Sequence, residues 1–307
     1  MARSGEEMIS DALTWGRSML TEAEVDSPQL DAELLLAHAL GWQRAQLYTH
    51  AEQVLQPQDW ARFAELITRR AQREPLAYLV GHQEFYGLDF FVDGRVLIPR
   101  PETEVLVEQA IAEGTRCLPV PDRVERTGRL SIADVGTGCG AIAIALALHL
   151  PSAEVYAIDL SAPVLDVAAR NCRRYSVEGR VHLLRGDLLA PLPQPADLIV
   201  ANLPYVARAE AASLPPEIVG YEPRQAWDGG VGGLEVIERL LAQVGGYLND
   251  EGGILLEVGA TQGAAVQGMA TRYFPTAVVE IFQDGAGLDR VVSIAPARDD
   301  GGMKGGL

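Results

Sequence analysis

The four-residue stretch Asn202-Leu203-Pro204-Tyr205 follows an apolar run and combines a carboxamide, a proline and an aromatic ring. A planar amide presents two N–H donors, so a site that binds it needs two acceptors in one plane. The side-chain oxygen of Asn202 and a backbone carbonyl beside the rigid Pro204 are such acceptors, and the ring of Tyr205 has a face that stacks on an amide plane. The stretch therefore indicates a site for a planar nitrogen substrate, with a strand-ending turn as the alternative.

A glycine-rich turn, Gly136-Thr137-Gly138-Cys139-Gly140, joins an apolar strand to the helix that follows it. Glycines at this position let the backbone approach a ligand closely, in the crevice at the carboxyl ends of the strands. The spacing is G-x-G-x-G rather than the G-x-G-x-x-G of dinucleotide-binding folds. We interpret the turn as part of a cofactor site and Cys139 as a small side chain in a crowded turn. A tight turn without any ligand would use the same glycines.

Acidic residues end the next two strands along the chain. Asp159 lies where a carboxylate can accept both hydroxyl hydrogens of a ribose, and an acid at a helix N-cap is the alternative. Asp187 and Leu188 follow the third strand, where an adenine would lie, with Asp187 reaching its exocyclic amine and Leu188 packing on its ring. Both are also ordinary strand-end residues. The set favours a nucleoside-containing cofactor but does not by itself distinguish S-adenosylmethionine from NAD.

The alternation of strands and helices after Pro101 must position these residues. It predicts a parallel sheet with right-handed crossovers, and the short Asp284-Gly285-Ala286-Gly287 connection forces the last two strands to pair as a hairpin. The expected fold is α/β, a seven-stranded doubly wound sheet of the methyltransferase type with a terminal antiparallel hairpin. The predicted strands are Leu130 to Val135, Glu154 to Asp159, Val181 to Arg185, Asp197 to Asn202, Gly253 to Val258, Ala277 to Phe282 and Arg290 to Ala295. The predicted helices are Glu102 to Glu113, Ala141 to Leu150, Pro163 to Tyr175, Leu234 to Leu248 and Gln262 to Tyr273.

The N-terminal part of the chain has a different character. Apolar residues recur three or four positions apart from Ile9 to Arg73, which predicts a small helical bundle. Ser27-Pro28 and Gln56-Pro57 are expected helix starts, and Gly41 is an expected helix end. The segment from Tyr78 to Val92 is rich in β-branched and aromatic residues and predicts a hairpin that connects two domains.

These patterns define an expected domain organisation. Residues 1–75 form a helical substrate-recognition domain, 76–99 a β-hairpin connector, 100–296 the catalytic domain and 297–307 a disordered tail. A loop is expected from Pro119 to Gly128, because that stretch fits neither a helix nor a strand.

Charge and composition exclude several classes of protein. The formal net charge is -17, from 25 Lys and Arg against 42 Asp and Glu, which disfavours a nucleic-acid substrate; acidity that serves only solubility is the alternative. Cys117, Cys139 and Cys172 are far apart and lack histidines at zinc-ligand spacing, so we expect neither disulfides nor a metal site. The most apolar stretch, Ala141 to Leu150, is too short to span a membrane. We therefore expect a cytoplasmic monomer without membrane contact.

Taken together, the motifs resemble the seven-strand methyltransferases that modify planar nitrogens, and more specifically the release-factor glutamine methyltransferase family. The resemblance extends from about Ile9 to Ala295. Further stretches that carry it are Arg73 to Gly81, Glu84-Phe85, Leu97-Ile98-Pro99-Arg100-Pro101-Glu102-Thr103-Glu104, Tyr221-Glu222-Pro223 and Gly232-Gly233-Leu234.

The resemblance implies an activity and a set of roles. It implies methyl transfer from S-adenosylmethionine, with S-adenosylhomocysteine as product, to the amide nitrogen of the glutamine in the Gly-Gly-Gln loop of peptide-chain release factors. It implies that Asn202 and the Leu203 carbonyl hold the amide and that Phe85 and Tyr205 flank the glutamine. A core aromatic is the alternative for Phe85. The residues expected to hold the cofactor are Gly136, Thr137, Gly138, Cys139, Gly140, Asp159, Asp187, Leu188 and Asn202.

One position departs from the family pattern. The family usually has Asn-Pro-Pro-Tyr, whereas Leu203 replaces the first proline here, and Asn-Leu-Pro-Tyr also occurs in ribosomal RNA adenine dimethyltransferases. The Leu203 carbonyl remains available as an acceptor in a less rigid backbone. This departure keeps an RNA adenine N6-methyltransferase open as an alternative. The others are a glutamine methyltransferase of a ribosomal protein, a NAD-dependent dehydrogenase, which the G-x-G-x-G spacing disfavours, and a catalytically silent binding module, which requires Asn202 to be dispensable. The N-terminal bundle, the Ile98 to Thr103 run and the acidic charge favour a protein substrate. Pro101-Glu102-Thr103 also differs from the related glutamine methyltransferase of a large-subunit ribosomal protein.

Overall fold

The computed structural model describes residues 7–117 and 129–297. The expected loop from Pro119 to Gly128 and the expected disorder after Ala297 lie outside the described residues. The chain divides into two compact units. The first reaches to His82 and adds Val92–Gly94 and Leu214–Glu222, and the second comprises Gln83–Phe91, Arg95–Ser213 and the chain from Pro223 onward. The first unit is thus longer than the expected domain 1–75 and includes a segment that is remote in the sequence.

The first unit is the helical bundle that the apolar spacing predicts. Its N-terminal helices are α1 Ile9–Glu22, α2 Pro28–Leu40, α3 Arg44–Thr49, α4 Pro57–Ala71 and α5 Leu76–Val80. Pro28 and Pro57 lie in the first turns of α2 and α4, where the missing N–H of proline costs nothing. Gly41 ends α2 in the left-handed conformation, with φ of 66°. Fully buried side chains such as Phe63 and Ile67 form the core of the bundle.

An ion network holds the remote segment Leu214–Glu222 within the first unit. Arg70 donates to Asp31 Oδ2 at 2.7 Å, a buried contact, and to Glu217 Oε1 at 2.9 Å, while Arg73 donates to Glu217 Oε2 at 2.9 Å, and both contacts to Glu217 are partly buried. Glu217 lies in helix α9, Pro216–Tyr221. Removing one member of the buried Arg70–Asp31 pair leaves an uncompensated charge and typically costs about 3–5 kcal/mol. The network therefore specifies where this segment packs.

The predicted hairpin from Tyr78 to Val92 is confirmed only over its second part. Tyr78 itself lies in α5, because Pro75 precedes a helix there and Gly81 ends it with φ of 78°. The strands that follow are β1 His82–Phe85 and β2 Leu88–Phe91, which form a two-stranded sheet. Tyr86 and Gly87 join them with φ of 53° and 72°, a backbone typical of two-residue hairpin turns.

The second unit contains the predicted seven-stranded sheet. Its order is β5-β4-β3-β6-β7-β9-β8, with parallel pairing from β5 through β7 and antiparallel pairing of β9 with both β7 and β8. The strands are β3 Leu130–Val135, β4 Ala153–Asp159, β5 Val181–Arg185, β6 Ala196–Ala201, β7 Leu248–Glu257, β8 Ala277–Gln283 and β9 Asp289–Pro296. The terminal hairpin is confirmed, and so is the doubly wound topology.

The helices of this unit follow the prediction with one difference. They are α6 Glu104–Cys117, α7 Ala141–His149, α8 Ala162–Tyr175, α10 Glu235–Gln243 and α11 Gly263–Tyr273, and a 3-10 turn at Pro101–Thr103 precedes α6. The helix predicted from Leu234 to Leu248 is wrong at its C-terminal end. Gly245-Gly246, with φ of 87° at Gly246, follows the helix, and Leu248 already pairs with Ala196 at the start of β7. In the described part of the chain, no helix has the length and apolarity to cross a membrane.

The order of the strands creates a crevice. From β3 the chain adds β4 and β5 on one side and β6 and β7 on the other. The crossovers therefore diverge beyond the carboxyl ends of β3 and β6, which is where ligands bind in open α/β sheets.

Candidate active site

A cavity of about 330 Å³ lies at this point of divergence. Residues from all four predicted motifs line it, which are Gly136, Gly138, Asp159, Asp187, Leu188, Asn202, Leu203 and Pro204. The structure thus brings together eight of the predicted site residues. Thr137, Cys139, Gly140, Tyr205 and Phe85 are not among the residues that line it.

The glycine turn brings its backbone close to the Asn202 loop. Gly136, Gly138 and Gly140 have φ of 80°, 56° and 85°, a conformation that favours glycine. A Cβ on Gly136 would lie 3.2 Å from Leu203 Cδ2 and 3.5 Å from the Asn202 carbonyl oxygen. The turn therefore needs a glycine at this position both for its backbone and for its packing.

Thr137, Cys139 and Gly140 are buried and shape the turn from within. The Thr137 hydroxyl donates to Asp134 Oδ2 at 2.6 Å, and the Asn171 amide donates to the Cys139 carbonyl at 2.9 Å. Burial raises the pKa of the Cys139 thiol to about 12, so this side chain is a poor nucleophile.

Asp134, in β3 just before the turn, is a residue to which the sequence analysis assigned no role. It is fully buried, and its Oδ2 accepts from the Thr137 hydroxyl and from the backbone N–H of Ala143, the latter at 3.2 Å. Burial raises the pKa of Asp134 to about 7. The signal for it in the sequence was an acid within an otherwise apolar strand, since a buried acid needs internal donors.

Asp159 ends β4 and faces the cavity. Its Oδ2 accepts from the backbone N–H of Gly138 at 3.2 Å and its Oδ1 from that of Ser161 at 2.9 Å. Ser161, not Asp159, occupies the N-cap of α8. Partial burial raises the pKa of Asp159 above its ordinary value, although these backbone donors oppose the shift. The carboxylate is therefore fixed against the glycine turn with one side toward the cavity.

Asp187 and Leu188 also line the cavity. Arg239 in α10 donates to Asp187 Oδ2 at 2.6 Å and also lines the cavity. The sequence analysis did not predict this ion pair. Leu188 has φ of 51°, an uncommon conformation for a residue with a side chain. Strain of this kind clusters at functional sites and here accompanies a leucine side chain on the cavity wall.

The Asn202 side chain is held by a residue that lies far away in the sequence. Its Nδ2 donates to Thr103 Oγ1 at 3.1 Å, while the residue itself lines the cavity. Because the amide nitrogen is bound internally, the carboxamide oxygen is the part of Asn202 that is left to accept from a ligand. Leu203 is 4% exposed and belongs to the apolar core beneath the cavity, which explains how a leucine is accommodated in place of proline.

Tyr205 and Phe85 lie deeper than the sequence suggested. The Tyr205 hydroxyl donates to Glu257 Oε1 at 3.4 Å, and burial raises the pKa of Tyr205 above its ordinary range. Phe85 is 1% exposed, and its ring centroid lies 6.2 Å from that of Phe90. This is the core placement that was the alternative for Phe85, and its contact with a glutamine stays a prediction.

Two further segments, at Gln262 and at Trp227 to Gly233, fix the backbone at Tyr205 and Val206. Gln262 Nε2 donates to the Tyr205 carbonyl at 2.8 Å, and the N–H of Val206 donates to the Trp227 carbonyl at 3.0 Å. Cβ atoms on Gly229 and Gly233 would lie 2.6 Å from the Pro204 carbonyl oxygen and 2.4 Å from that of Tyr205. These glycines permit a close approach of two loops, which gives Gly233 of the Gly232-Gly233-Leu234 motif a physical reason.

The cavity lining combines backbone, a carboxylate and apolar side chains with the carboxamide of Asn202. In the described residues, no group of three or more His, Cys, Asp or Glu side chains is placed to hold a metal ion. Such a site suits the binding of a nucleoside beside a planar N–H donor.

Comparison with known proteins identifies the family. The release factor glutamine methyltransferase of Geobacter sulfurreducens is 40% identical over 287 residues, covering 92% of this chain and 95% of that protein. That of Moorella thermoacetica is 42% identical over 272 residues, covering 88% of this chain and 92% of that protein. The chain belongs to the release factor glutamine methyltransferase family. A family model described as the PrmC N-terminal domain matches residues 11–81, and one described as ribosomal protein L11 methyltransferase (PrmA) matches residues 113–208.

Solved structures support the fold. A methyltransferase from Pyrococcus furiosus aligns with a TM-score of 0.50 at 17% identity, covering 74% of this chain and 97% of that chain. The hMettl16 catalytic domain, solved in complex with a 3'UTR hairpin, aligns with a TM-score of 0.53 at 16% identity, covering 76% of this chain and 82% of that chain. At these identities the likeness shows the methyltransferase fold and nothing about the substrate.

Proposed function

We propose that this protein transfers a methyl group from S-adenosylmethionine to the side-chain amide nitrogen, N5, of the glutamine in the Gly-Gly-Gln motif of peptide-chain release factors. Membership of the family supports the reaction and the substrate class. The observation that carries the proposal is Asn202, whose amide nitrogen is bound by Thr103 while the residue lines the cavity. An oriented carboxamide oxygen is the acceptor that a glutamine amide needs.

The residues of the cavity fit the proposed cofactor. Asp159 offers a carboxylate to ribose hydroxyls, Gly136 and Gly138 allow close approach of the backbone, and Leu188 offers an apolar surface to an adenine. When bound, S-adenosylmethionine supplies an electrophilic methyl group on a sulfonium. Asp187 is paired with Arg239, so its predicted contact with the adenine amine would use its remaining lone pairs.

The protein's own contribution is orientation of a weak nucleophile. The lone pair of an amide nitrogen is delocalised into its carbonyl, so the nitrogen reacts only if its N–H bonds are held aside and the lone pair faces the methyl group. Asn202 Oδ1 and the Leu203 carbonyl would accept the two N–H groups and stabilise the positive charge that develops during transfer. A strong base is not needed, because the nitrogen becomes very acidic once it is methylated.

The direct test is mass spectrometry of a purified release factor after incubation with the enzyme and S-adenosylmethionine. We expect a mass increase of one methyl group on the peptide that contains Gly-Gly-Gln, and no increase on a factor in which that glutamine is replaced by alanine. A methylated RNA together with an unmodified release factor would overturn the proposal and favour the RNA adenine alternative.

We further propose that the N-terminal bundle recognises the protein substrate. Its support is the separate compact core of the first unit. Removing residues up to about Arg70 should leave cofactor binding measurable and abolish methylation of an intact release factor. Because Arg70 pairs with Glu217, circular dichroism must first show that the truncated protein is folded. Methylation of the intact factor at the full rate would assign the bundle a stabilising role only.

A further inference from the structure

Glu257 is a buried carboxylic acid that the proposed reaction does not use. It is the last residue of β7 and is 2% exposed. Its Oε1 accepts from the Tyr205 hydroxyl at 3.4 Å, and its buried Oε2 has no hydrogen-bond partner among the described residues. Burying a carboxyl group in this way costs free energy that a core leucine would not cost, so the acid is expected to have a role.

Thr103 connects this acid to Asn202. Thr103 is 4% exposed, and its Oγ1 accepts from Asn202 Nδ2 at 3.1 Å. Its hydroxyl also interacts with the Glu257 carboxyl and lowers the pKa of that group. The three side chains come from the turn before α6, the loop after β6 and the end of β7. They form a chain of polar groups that runs from the core to the cavity.

The chemistry of the three groups determines which of them donates and which accepts along this chain. An ionised carboxylate only accepts, so the Thr103 hydroxyl must donate its single proton to Glu257. The lone pairs of the Thr103 oxygen are then free to accept, and they select the N–H₂ end of the Asn202 carboxamide. The opposite end of that carboxamide, its oxygen, is thereby selected for the cavity.

We propose that Thr103 and Glu257 are positioning residues, which fix the side chain of Asn202 so that its oxygen, rather than its amide nitrogen, is presented to the substrate amide. The proposal rests on the function proposed above, because it assumes that Asn202 receives an N–H group. A carboxamide that is free to rotate by 180° would present its N–H₂ half of the time to another N–H donor, which repels it.

The groups that face Glu257 make this chain sensitive to pH. They are Thr103 and Tyr205 as hydrogen-bond donors, Arg290 in β9 as a nearby positive charge and Glu102 as a nearby negative charge. Burial dominates and raises the pKa of Glu257 to about 7. Below that pH the acid carries its own proton and can donate to the Thr103 oxygen as well as accept from its hydroxyl, so the direction of the chain is no longer imposed.

The first experiment removes the hydroxyl and keeps the shape. In single-turnover assays at saturating cofactor, Thr103→Val should lower the rate of methyl transfer about tenfold, the size expected for one lost internal hydrogen bond. Thr103→Ser keeps the hydroxyl and should restore the rate to within about threefold of the wild type. Cofactor affinity by calorimetry should stay unchanged in both. A wild-type rate in Thr103→Val overturns the proposal.

A double-mutant cycle separates positioning from general stability. If Thr103 acts through Asn202, Thr103→Val should cause no further loss of rate in an Asn202→Ala background. Two losses that multiply would mean that Thr103 acts on the site in some other way, and would overturn the proposal.

The third measurement is the pH profile of the rate at saturating cofactor. The wild-type rate should fall as the pH drops below about 7. Glu257→Gln cannot titrate and, like the protonated acid, can both donate and accept, so its rate should match that of the wild type at low pH and lose this dependence, whereas Glu257→Leu should resemble Thr103→Val. A profile that is the same in Glu257→Gln and the wild type contradicts the role of Glu257.

Failure of this inference can be told apart from failure of the proposed function. If the wild-type enzyme does not methylate the release factor, or if Asn202→Ala has no effect, the proposed function fails first. If both of those results are as expected but Thr103→Val leaves the rate of methyl transfer unchanged, only the positioning role of Thr103 and Glu257 is contradicted. The side-chain amide resonances of Asn202 in nuclear magnetic resonance give a readout without turnover, because they should shift in Thr103→Val and not in Thr103→Ser.

Discussion

The two sides of the cavity are held in different ways. On the glycine side, Asp134 accepts from Thr137 and Ala143, which are 3 and 9 residues away in the sequence. On the asparagine side, Asn202 is bound by Thr103 across 99 residues, and Tyr205 by Glu257 across 52. The glycine turn is therefore fixed within one strand-turn-helix unit, whereas the Asn202 loop is fixed by elements that meet only in the folded sheet.

Both sides nevertheless share one feature, a buried carboxyl group next to a threonine. Each contains a buried carboxyl group, Asp134 or Glu257, with a pKa raised to about 7 by burial and with a threonine hydroxyl as a hydrogen-bond donor. In each carboxyl group one oxygen accepts a hydrogen bond, while the other, Asp134 Oδ1 or Glu257 Oε2, is buried without a partner among the described residues. The difference lies in what they hold, which is a backbone turn on one side and a side chain on the other.

The largest effect is expected on the asparagine side. Asn202→Ala should lower the methyl-transfer rate by about 10² to 10³, or ~3 to 4 kcal/mol, by analogy with the loss of one preorganised donor or acceptor at a reacting centre. Cofactor affinity should change much less. Asn202→Asp should also lower turnover while thermal stability stays nearly unchanged. Single-turnover kinetics with saturating cofactor and substrate measures this.

A matched control for that substitution is Asn249→Ala. Asn249 donates to Asp197 Oδ1 at 2.7 Å and does not line the cavity, so its loss removes an asparagine hydrogen bond without touching the site. Equal losses of rate in Asn202→Ala and Asn249→Ala would show that the effect is structural and would remove Asn202 from the reaction.

The next largest effect is expected on the glycine side, and it should change the affinity for the cofactor instead of the rate of methyl transfer. Asp159→Ala removes the carboxylate proposed to accept from the ribose, and should weaken cofactor binding by ~1 to 3 kcal/mol. Isothermal titration calorimetry on the folded variant measures it. Unchanged affinity would exclude Asp159 from the cofactor site and leave it a role in fixing Gly138.

A smaller effect concerns the pH dependence of stability. Asp134 ordinarily ionises near 3.8 and does so near 7 in the folded protein. Between these values the folded state binds more protons than the unfolded state, so its stability falls as the pH rises through this window and levels off above about 7. Urea unfolding at several pH values should show a slope that Asp134→Asn reduces by up to ~1.4 kcal/mol per pH unit. Parallel curves for variant and wild type would show that Asp134 does not titrate there.

The smallest effect separates backbone strain from contact between the two sides. Gly136→Ala should destabilise the fold by ~1 to 2 kcal/mol, because φ is 80° and the added Cβ lies 3.2 Å from Leu203. Gly87→Ala is the control, since Gly87 has φ of 72° and no atom within 4 Å of the added Cβ. The excess loss in Gly136→Ala, measured by chemical unfolding, reports the contact with the Asn202 loop. No excess would mean that the loop moves aside freely.

The N-terminal bundle shows the same division between local and remote information. Ser27-Pro28, Gly41 and Gln56-Pro57 mark helix boundaries that the structure confirms, because the fixed φ of proline and the left-handed conformation of glycine act at single residues. The packing of Leu214–Glu222 in that unit was not foreseen, since it depends on Arg70 and Glu217, which lie 147 residues apart. No periodicity reports such a pairing.

The sequence by itself determined the seven-stranded fold, the glycine turn, the acids at the strand ends and the Asn202 loop, because each depends on spacing within a strand or turn. Tertiary structure alone decided that Phe85 lies in the core, that Arg239 pairs with Asp187, and that Thr103 and Glu257 stand behind Asn202. The physical reason is the distance along the sequence over which each interaction acts. Backbone propensity and capping act over a few residues, whereas the orientation of a side chain depends on the groups that the folded sheet places beside it.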